Sequence, residues 1–225
     1  MAEHRYFTRE TFRFLRDLKD NNDRDWFAEN KHRYERHVKA PALHLIEDYR
    51  KKQPRLSEHF KATPRSLFRI YRDVRFSKDK SPYKTAAGIH FRHERAKDAY
   101  APGYYLHVAP GEVFLGCGIW HPQGPALRAI REHIVEHPAQ WKKVSRAKAF
   151  QANFELAGES LKRAPRDFDA EHPLIEDLKR KDFIGVQNLT QSYVTSGDLP
   201  QQLVKTWKKA SPFMRFLCDA LDVPF

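Results

Sequence analysis

The sequence predicts an α+β protein with an antiparallel central sheet, covered mainly on one face by helices from the N- and C-terminal parts. Apolar residues recur at helical spacing before residue 50 and again after residue 125. Between those stretches they alternate at period two across short polar connections, the pattern of a sheet with one buried face. One domain over 1–225 follows, with N-terminal helices at 8–50, a central sheet at 67–120 and a C-terminal mixed region at 125–222.

Thr8 reads as an N-cap, with Phe7 and Phe12 placed for a hydrophobic staple and Phe12, Leu15 and Leu18 on the inner stripe. Asn21, Asn22 and Asp23 break that helix; a second carries Phe27, Tyr34 and Val38 inward, and Pro41 suits the first turn of a third. Phe68, Ile70, Val74 and Phe76 alternate as a strand, as do Ile89 and Phe91, then Tyr104, Leu106 and Val108, then Val113, Leu115, Cys117 and Ile119. Pro110 and Gly111 suit the tight reversal between the last two. Residues 93–102 read as a polar flap. Beyond Pro125 come a helix through Leu127, Ile130 and Ile134, strands at 150–156 and 183–189, a short helix near Pro173 to Leu178, and a final helical region restarting at Ser211.

Forty per cent hydrophobic residues in 225 are enough to build a core, which excludes a disordered tail. No apolar run approaches the roughly 18 residues of a membrane span, and Met1 to Arg5 lack a secretory signal's apolar stretch, so no membrane partner and a cytoplasmic location are expected. Cys117 and Cys218 are too few for a thiolate zinc site and read as buried free thiols. A formal charge of +12 favours anionic partners, either an anionic small molecule or nucleic acid.

That charge is concentrated in one segment. Arg69, Arg72, Arg75, Lys78, Lys80 and Lys84 place six cations in sixteen residues, against Asp73 and Asp79. Read as a strand, the segment puts Arg69, Tyr71, Asp73 and Arg75 on one face and leaves Arg72 on the apolar one. Like charges about 7 Å apart repel by about 2 kcal/mol at an effective dielectric near 20, so an anion, water or carboxylates from elsewhere must compensate. The neighbouring strands place His90, Arg92, Tyr105, His107, Phe114, Gly116, Gly118 and Trp120 in the opposite phase to the apolar residues; Gly116 and Gly118 either leave a hollow against the sheet or accommodate a bulge.

Two motifs carry little weight. His133-Ile134-Val135-Glu136-His137 fits H-x-x-E-H, but Pro138 ends the helix and no further carboxylate ligand is evident; no metal and no cofactor are expected. Ser77 to Lys80 and Ser81 to Lys84 both fit S-x-x-K without its companion motifs. Neither a phosphate-binding G-x-x-x-x-G-K-[ST] loop nor a G-x-G-x-x-G fingerprint occurs, which argues against nucleotide hydrolysis and dinucleotide binding.

The run Tyr71 to Thr85 resembles the hallmark of a bacterial and fungal family, domain of unknown function 2461. Gly103-Tyr104-Tyr105, Gly116 to Trp120, Leu161 to Pro165 and Asp169 to Pro173 are similar to it as well, with Cys117 where a third glycine is expected. The resemblance implies one intact domain and brings no activity with it.

The expectation is therefore a binding domain for an anionic, phosphate-bearing ligand or nucleic acid. Arg69, Arg72, Arg75, Lys80 and Lys84 supply charge, Tyr71, Tyr83 and Trp120 supply stacking or hydroxyl contacts, Gly116 and Gly118 supply room, and Asp73 holds the arginines. One alternative is an enzyme on a phosphorylated or carboxylated substrate in the same hollow, with Asp73 or His107 as base. The other is a purely structural Arg–Asp network tying the sheet to the helices.

Overall fold

The computed structural model describes residues 5–95 and 102–225. Of the flap expected at 93–102, residues 96–101 lie outside the described residues.

Thr8 caps α1 (Arg9–Asp20), accepting from the Glu10 N–H, and Asp23 caps α2 (Arg24–Tyr34), accepting from the Asp25 and Trp26 N–H groups. Pro41 has no N–H to offer the His37 carbonyl. The chain passes from α2 into α3 (Ala40–Arg50) through a π-type turn, Glu35–Lys39, and the freed carbonyl accepts the Thr11 hydroxyl at 2.7 Å. Pro41 thus sits in the first turn of a third helix, as expected, and that helix continues from α2 through the π-type turn.

The sheet has six strands: β1 (Phe60–Lys61), β2 (Ala87–His93), β3 (Gly103–Ala109), β4 (Glu112–Ile119), β5 (Glu155–Ala157) and β6 (Phe183–Leu189). All neighbours are antiparallel, in the order β1-β2-β3-β4-β6-β5, so the sheet draws on the C-terminal region as well as on 67–120. β3 and β4 turn at Gly111, whose φ of 80° only glycine adopts without strain. The remaining helices are α4 (Gly124–Glu136), α5 (Pro138–Ser145), α6 (Lys148–Gln151), α7 (Ile175–Leu178), α8 (Gln191–Val194), α9 (Leu199–Trp207) and α10 (Ser211–Ala220). The strand expected at 150–156 is shorter and later, because Phe150 lies in α6, and only Glu155–Ala157 pair with β6.

One sheet face carries Ile89, Phe91, Tyr104, Leu106, Val108, Leu115 and Cys117, all buried beneath helices. Tyr49 of α3 stacks on Phe91 at 4.1 Å, Trp207 of α9 meets both rings edge-on, and Trp141 of α5 meets Phe183. These rings make one contiguous apolar core with α1, α2 and α10. Cys117 and Cys218 are both buried and free.

The opposite face carries His90, Arg92, Tyr105, His107 and Phe114, as the alternation predicts, with the register Gly88–His107–Phe114 and His90–Tyr105–Gly116 across three strands.

Candidate functional site

The segment 68–84 is not the strand its alternation predicts. Leu67 pairs with Ile89, and the chain then leaves the sheet as a loop pinched by a single bridge between Tyr71 and Tyr83. Arg72 N–H donates to the Pro82 carbonyl at 2.9 Å and Lys84 N–H to the Ile70 carbonyl at 2.7 Å. Within the loop, aspartates take the backbone donors that a strand would need. Asp73 accepts the Arg75 N–H, and Asp79 accepts both the N–H and the hydroxyl of Ser81. Phe76, expected on a buried face, is 95% exposed at the loop tip.

The loop docks on the corner between α1 and α2. The Asn22 side chain lies along the Tyr83 backbone, donating to its carbonyl at 3.0 Å and accepting its N–H at 3.1 Å. The Tyr83 ring stacks on Phe27 at 4.0 Å. A cleft of about 470 Å³ opens between loop and corner, lined by Lys19, Asn22, Arg72, Asp79, Ser81, Tyr83, Lys84 and Thr85.

Charge within the cleft is unequal. Arg72 pairs with Asp79, whose carboxyl is held below the usual range by the Ser81 hydrogen bonds first and by Arg72 after them. Lys84 donates to the Arg69 carbonyl at 2.7 Å and lies 5.6 Å from the Phe68 ring centroid. Burial, then the Arg69 charge, lowers its pKa. Among the described residues neither Lys19 nor Lys84 forms an ion pair, so three cations face one carboxylate.

The predicted site residues are therefore only partly brought together. Arg72, Tyr83 and Lys84 line the cleft. Arg75 turns instead to Asp73 at 2.7 Å, an exposed pair two residues apart that pulls the Asp73 carboxyl down to about 2. Lys80 donates to the Val74 carbonyl, and Arg69 and Tyr71 are exposed at the base of the loop without lining the cleft. Gly118 serves the backbone: its φ is 117° and a Cβ would run into the Phe183 carbonyl, so it makes no hollow. At Gly116 a Cβ would meet the Tyr105 side chain at 3.5 Å, an ordinary contact, and Gly116 does not line the cleft. Trp120 lies beyond Ile119, at the end of β4 opposite the loop; about six residues of strand, or about 20 Å, separate the two ends.

His107 sits on the sheet face opposite the helices, sharing a hydrogen bond between Nδ1 and the Tyr105 hydroxyl at 3.0 Å and stacking on Phe114. Gly88 and Gly103 are the glycines that shape this face, since a Cβ at either would strike the Tyr105 hydroxyl or the His90 ring. Burial first, then Arg92, lowers the His90 pKa to about 4, and Arg92 Nε donates to its Nδ1 at 3.2 Å. Two hydrogen bonds thus link neighbours on this face, Arg92 to His90 and Tyr105 with His107. Elsewhere, His133, Glu136 and His137 put ligand atoms within 4.8 Å, all from the last turn and cap of α4, with no fourth ligand among the described residues.

Sequence reasoning missed Lys19 and Asn22. Asn22 read as a helix breaker, which it is, but its grip on Tyr83 spans 61 positions and left no local signal. Comparison with known families finds that a model described as a conserved hypothetical protein, domain of unknown function 2461, matches residues 10–216. No curated protein and no solved structure matches the chain.

Proposed function

The chain belongs to the domain of unknown function 2461 family, and we propose that it binds a phosphate-bearing ligand in the cleft between loop 69–85 and the α1–α2 corner. One observation carries this reading: Lys19, Arg72 and Lys84 line the cleft against the lone carboxylate of Asp79, which is already engaged. A bound phosphate supplies the missing negative charge, and its attraction for the ammonium offsets the burial and the Arg69 charge that lower the Lys84 pKa. Arg72 offers a planar donor fork, Lys19 and Lys84 act as point charges, and Thr85 adds a hydroxyl contact. The phosphate belongs either to a small molecule or to a nucleic-acid backbone. Exposed Tyr71 at the base of the loop and Phe76 at its tip offer stacking surfaces for bases in the second case.

Titration of inorganic phosphate, a nucleoside monophosphate and a single-stranded oligonucleotide tests the reading. Lys84→Met and Arg72→Met each weaken binding about tenfold or more, with thermal stability retained. A nucleic-acid ligand shows log affinity falling with log salt by about 0.7 per phosphate neutralised. It also loses affinity in Phe76→Ala, which inorganic phosphate does not. Binding by the wild type to none of the three, or binding indifferent to both substitutions, refutes the proposal.

A further inference from the structure

A second cleft, of about 430 Å³, lies at the other end of the sheet and shares no residue with the first. It is lined by His121, Leu127, Arg131, Glu159, Leu161 and Lys181, with Pro122. Behind it Asp182 is 0% exposed, a carboxylate taken wholly out of water at the entry to β6. Charges so placed are kept only with full hydrogen bonding. One carboxylate oxygen accepts both the backbone N–H and the Nδ1 of His121, each at 2.7 Å, and the other accepts the Glu159 N–H at 2.8 Å.

The backbone is shaped around that carboxylate. His121 sits at φ 49°, a left-handed conformation uncommon outside glycine. Gly158 takes φ 99°, and a Cβ there would run into the Asp182 side chain. An ionised carboxylate only accepts, so Nδ1 carries a proton, and a neutral His121 keeps its lone pair on Nε2. The imidazole itself is about half exposed and is stacked at 4.3 Å by Trp120, which is 59% exposed. A cleft-lining ring whose Nδ1 is fixed by a buried carboxylate, and whose Nε2 makes no hydrogen bond among the described residues, has the arrangement a general base needs.

The same cleft holds a charge without a counter-charge. Arg131 is 8% exposed, forms no ion pair among the described residues, and has a buried Nε with no hydrogen-bond partner. Its one bond runs from a terminal nitrogen to the Arg180 carbonyl at 3.0 Å. Lys181 is matched by Glu159 at 2.8 Å, so the guanidinium remains the uncompensated group.

We propose that this cleft is a proton-transfer site for a small substrate bearing a carboxylate or phosphate oxyanion. Arg131 engages the oxyanion. His121 Nε2 takes the proton of a substrate hydroxyl or a water: the O–H bond breaks, the proton moves to Nε2, and the electron pair stays on oxygen. Asp182 stabilises the imidazolium that results. Apolar Leu127 and Leu161 and the Trp120 ring suit a substrate with a hydrocarbon or ring portion beside its charged group.

Carbethoxylation by diethyl pyrocarbonate, followed residue by residue with mass spectrometry, reads the basicity and accessibility of Nε2 directly. It is performed on Lys84→Met protein, so that the first cleft does not contribute. Inorganic phosphate and, separately, acetate serve as probes; protection by one alone identifies which oxyanion the cleft prefers. The expected result is that at least one probe slows modification of His121 about fivefold or more while exposed His32 is unaffected, and that Arg131→Met abolishes this protection. Absence of protection at His121 by either probe overturns the proposal without any variant of the cleft. Protection that persists in folded Arg131→Met protein overturns the assignment of Arg131. His121→Asn, which tolerates the left-handed backbone, folds normally and loses the modified site.

Discussion

Loop 69–85 and the corner around Asp182 treat charge in opposite ways. In the loop, Arg72 meets Asp79 seven residues on and Arg75 meets Asp73 two residues back, all in contact with water. At the corner, one buried carboxylate gathers donors from residues 61 and 23 positions away. The loop looks the more remarkable in sequence, yet water and near neighbours settle most of its charge at little energetic consequence. The corner is silent in sequence, yet its charges are costly to hold and so are tied to one geometry. Density of charge along the chain is thus a weaker guide to a built site than charge withheld from water.

Substitution at the two aspartates gives the sharpest test of that contrast. Asp182→Ala leaves three N–H donors without an acceptor and releases His121 from its left-handed backbone, so a loss of about 3–5 kcal/mol is expected in urea unfolding. Asp73→Ala leaves the midpoint unchanged within error, since Asp73 is exposed and pairs only locally. Equal losses at the two positions break the comparison.

Acid titration extends it to the sheet face opposite the helices. His90 has its pKa lowered from 6.5 to about 4, chiefly by burial, so the unfolded chain binds more protons than the folded one between those values. Stability therefore falls as pH drops from 6.5 towards 4, by up to about 3 kcal/mol, and His90→Gln flattens this limb of the urea-midpoint profile. Asp73, lowered from 3.8 to about 2, has the same sign of dependence but in a lower pH window, and its exposed pair adds little. The His90 limb therefore lies above the window in which Asp73 of the loop titrates.

A smaller effect is expected where the loop meets the helices. Asn22→Ala removes both hydrogen bonds to the Tyr83 backbone and should cost about 1–2 kcal/mol. Faster hydrogen exchange at the Arg72 and Lys84 amides, which close the loop, would show that Asn22 holds the cleft wall in place. Unchanged exchange there would mean that the Tyr83–Phe27 stack suffices.

Much of the fold was legible because its signals are local. The N-cap at Thr8, the alternation in Tyr104 to Val108 and Val113 to Ile119, the strand at Phe183–Leu189 and the restart at Ser211 each depend on spacing within a few residues. Phe68 to Phe76 shares that alternation and is nevertheless a loop. Period two says only which residues would share a face if a partner strand were present. Here Asp73 and Asp79 capture the backbone donors first, and Pro82 has none to give. The π-type turn before α3 was equally hidden, since it needs the Thr11 hydroxyl to take the carbonyl that Pro41 frees.

The candidate sites divide along the same line. The sequence by itself determined that this is a basic α+β chain, with a polar aromatic phase along its central strands and a dense cationic run after residue 68. Tertiary structure alone decided that Lys19 and Asn22 join Arg72 and Lys84, that Trp120 stands a sheet's length away from them, and that Arg131 and His121 share a cleft before a buried aspartate. Hydrogen-bond and hydrophobic periodicity act between near neighbours along the chain. Electrostatic compensation depends on distance through space and on exclusion of water, and both come into being only when the chain has folded.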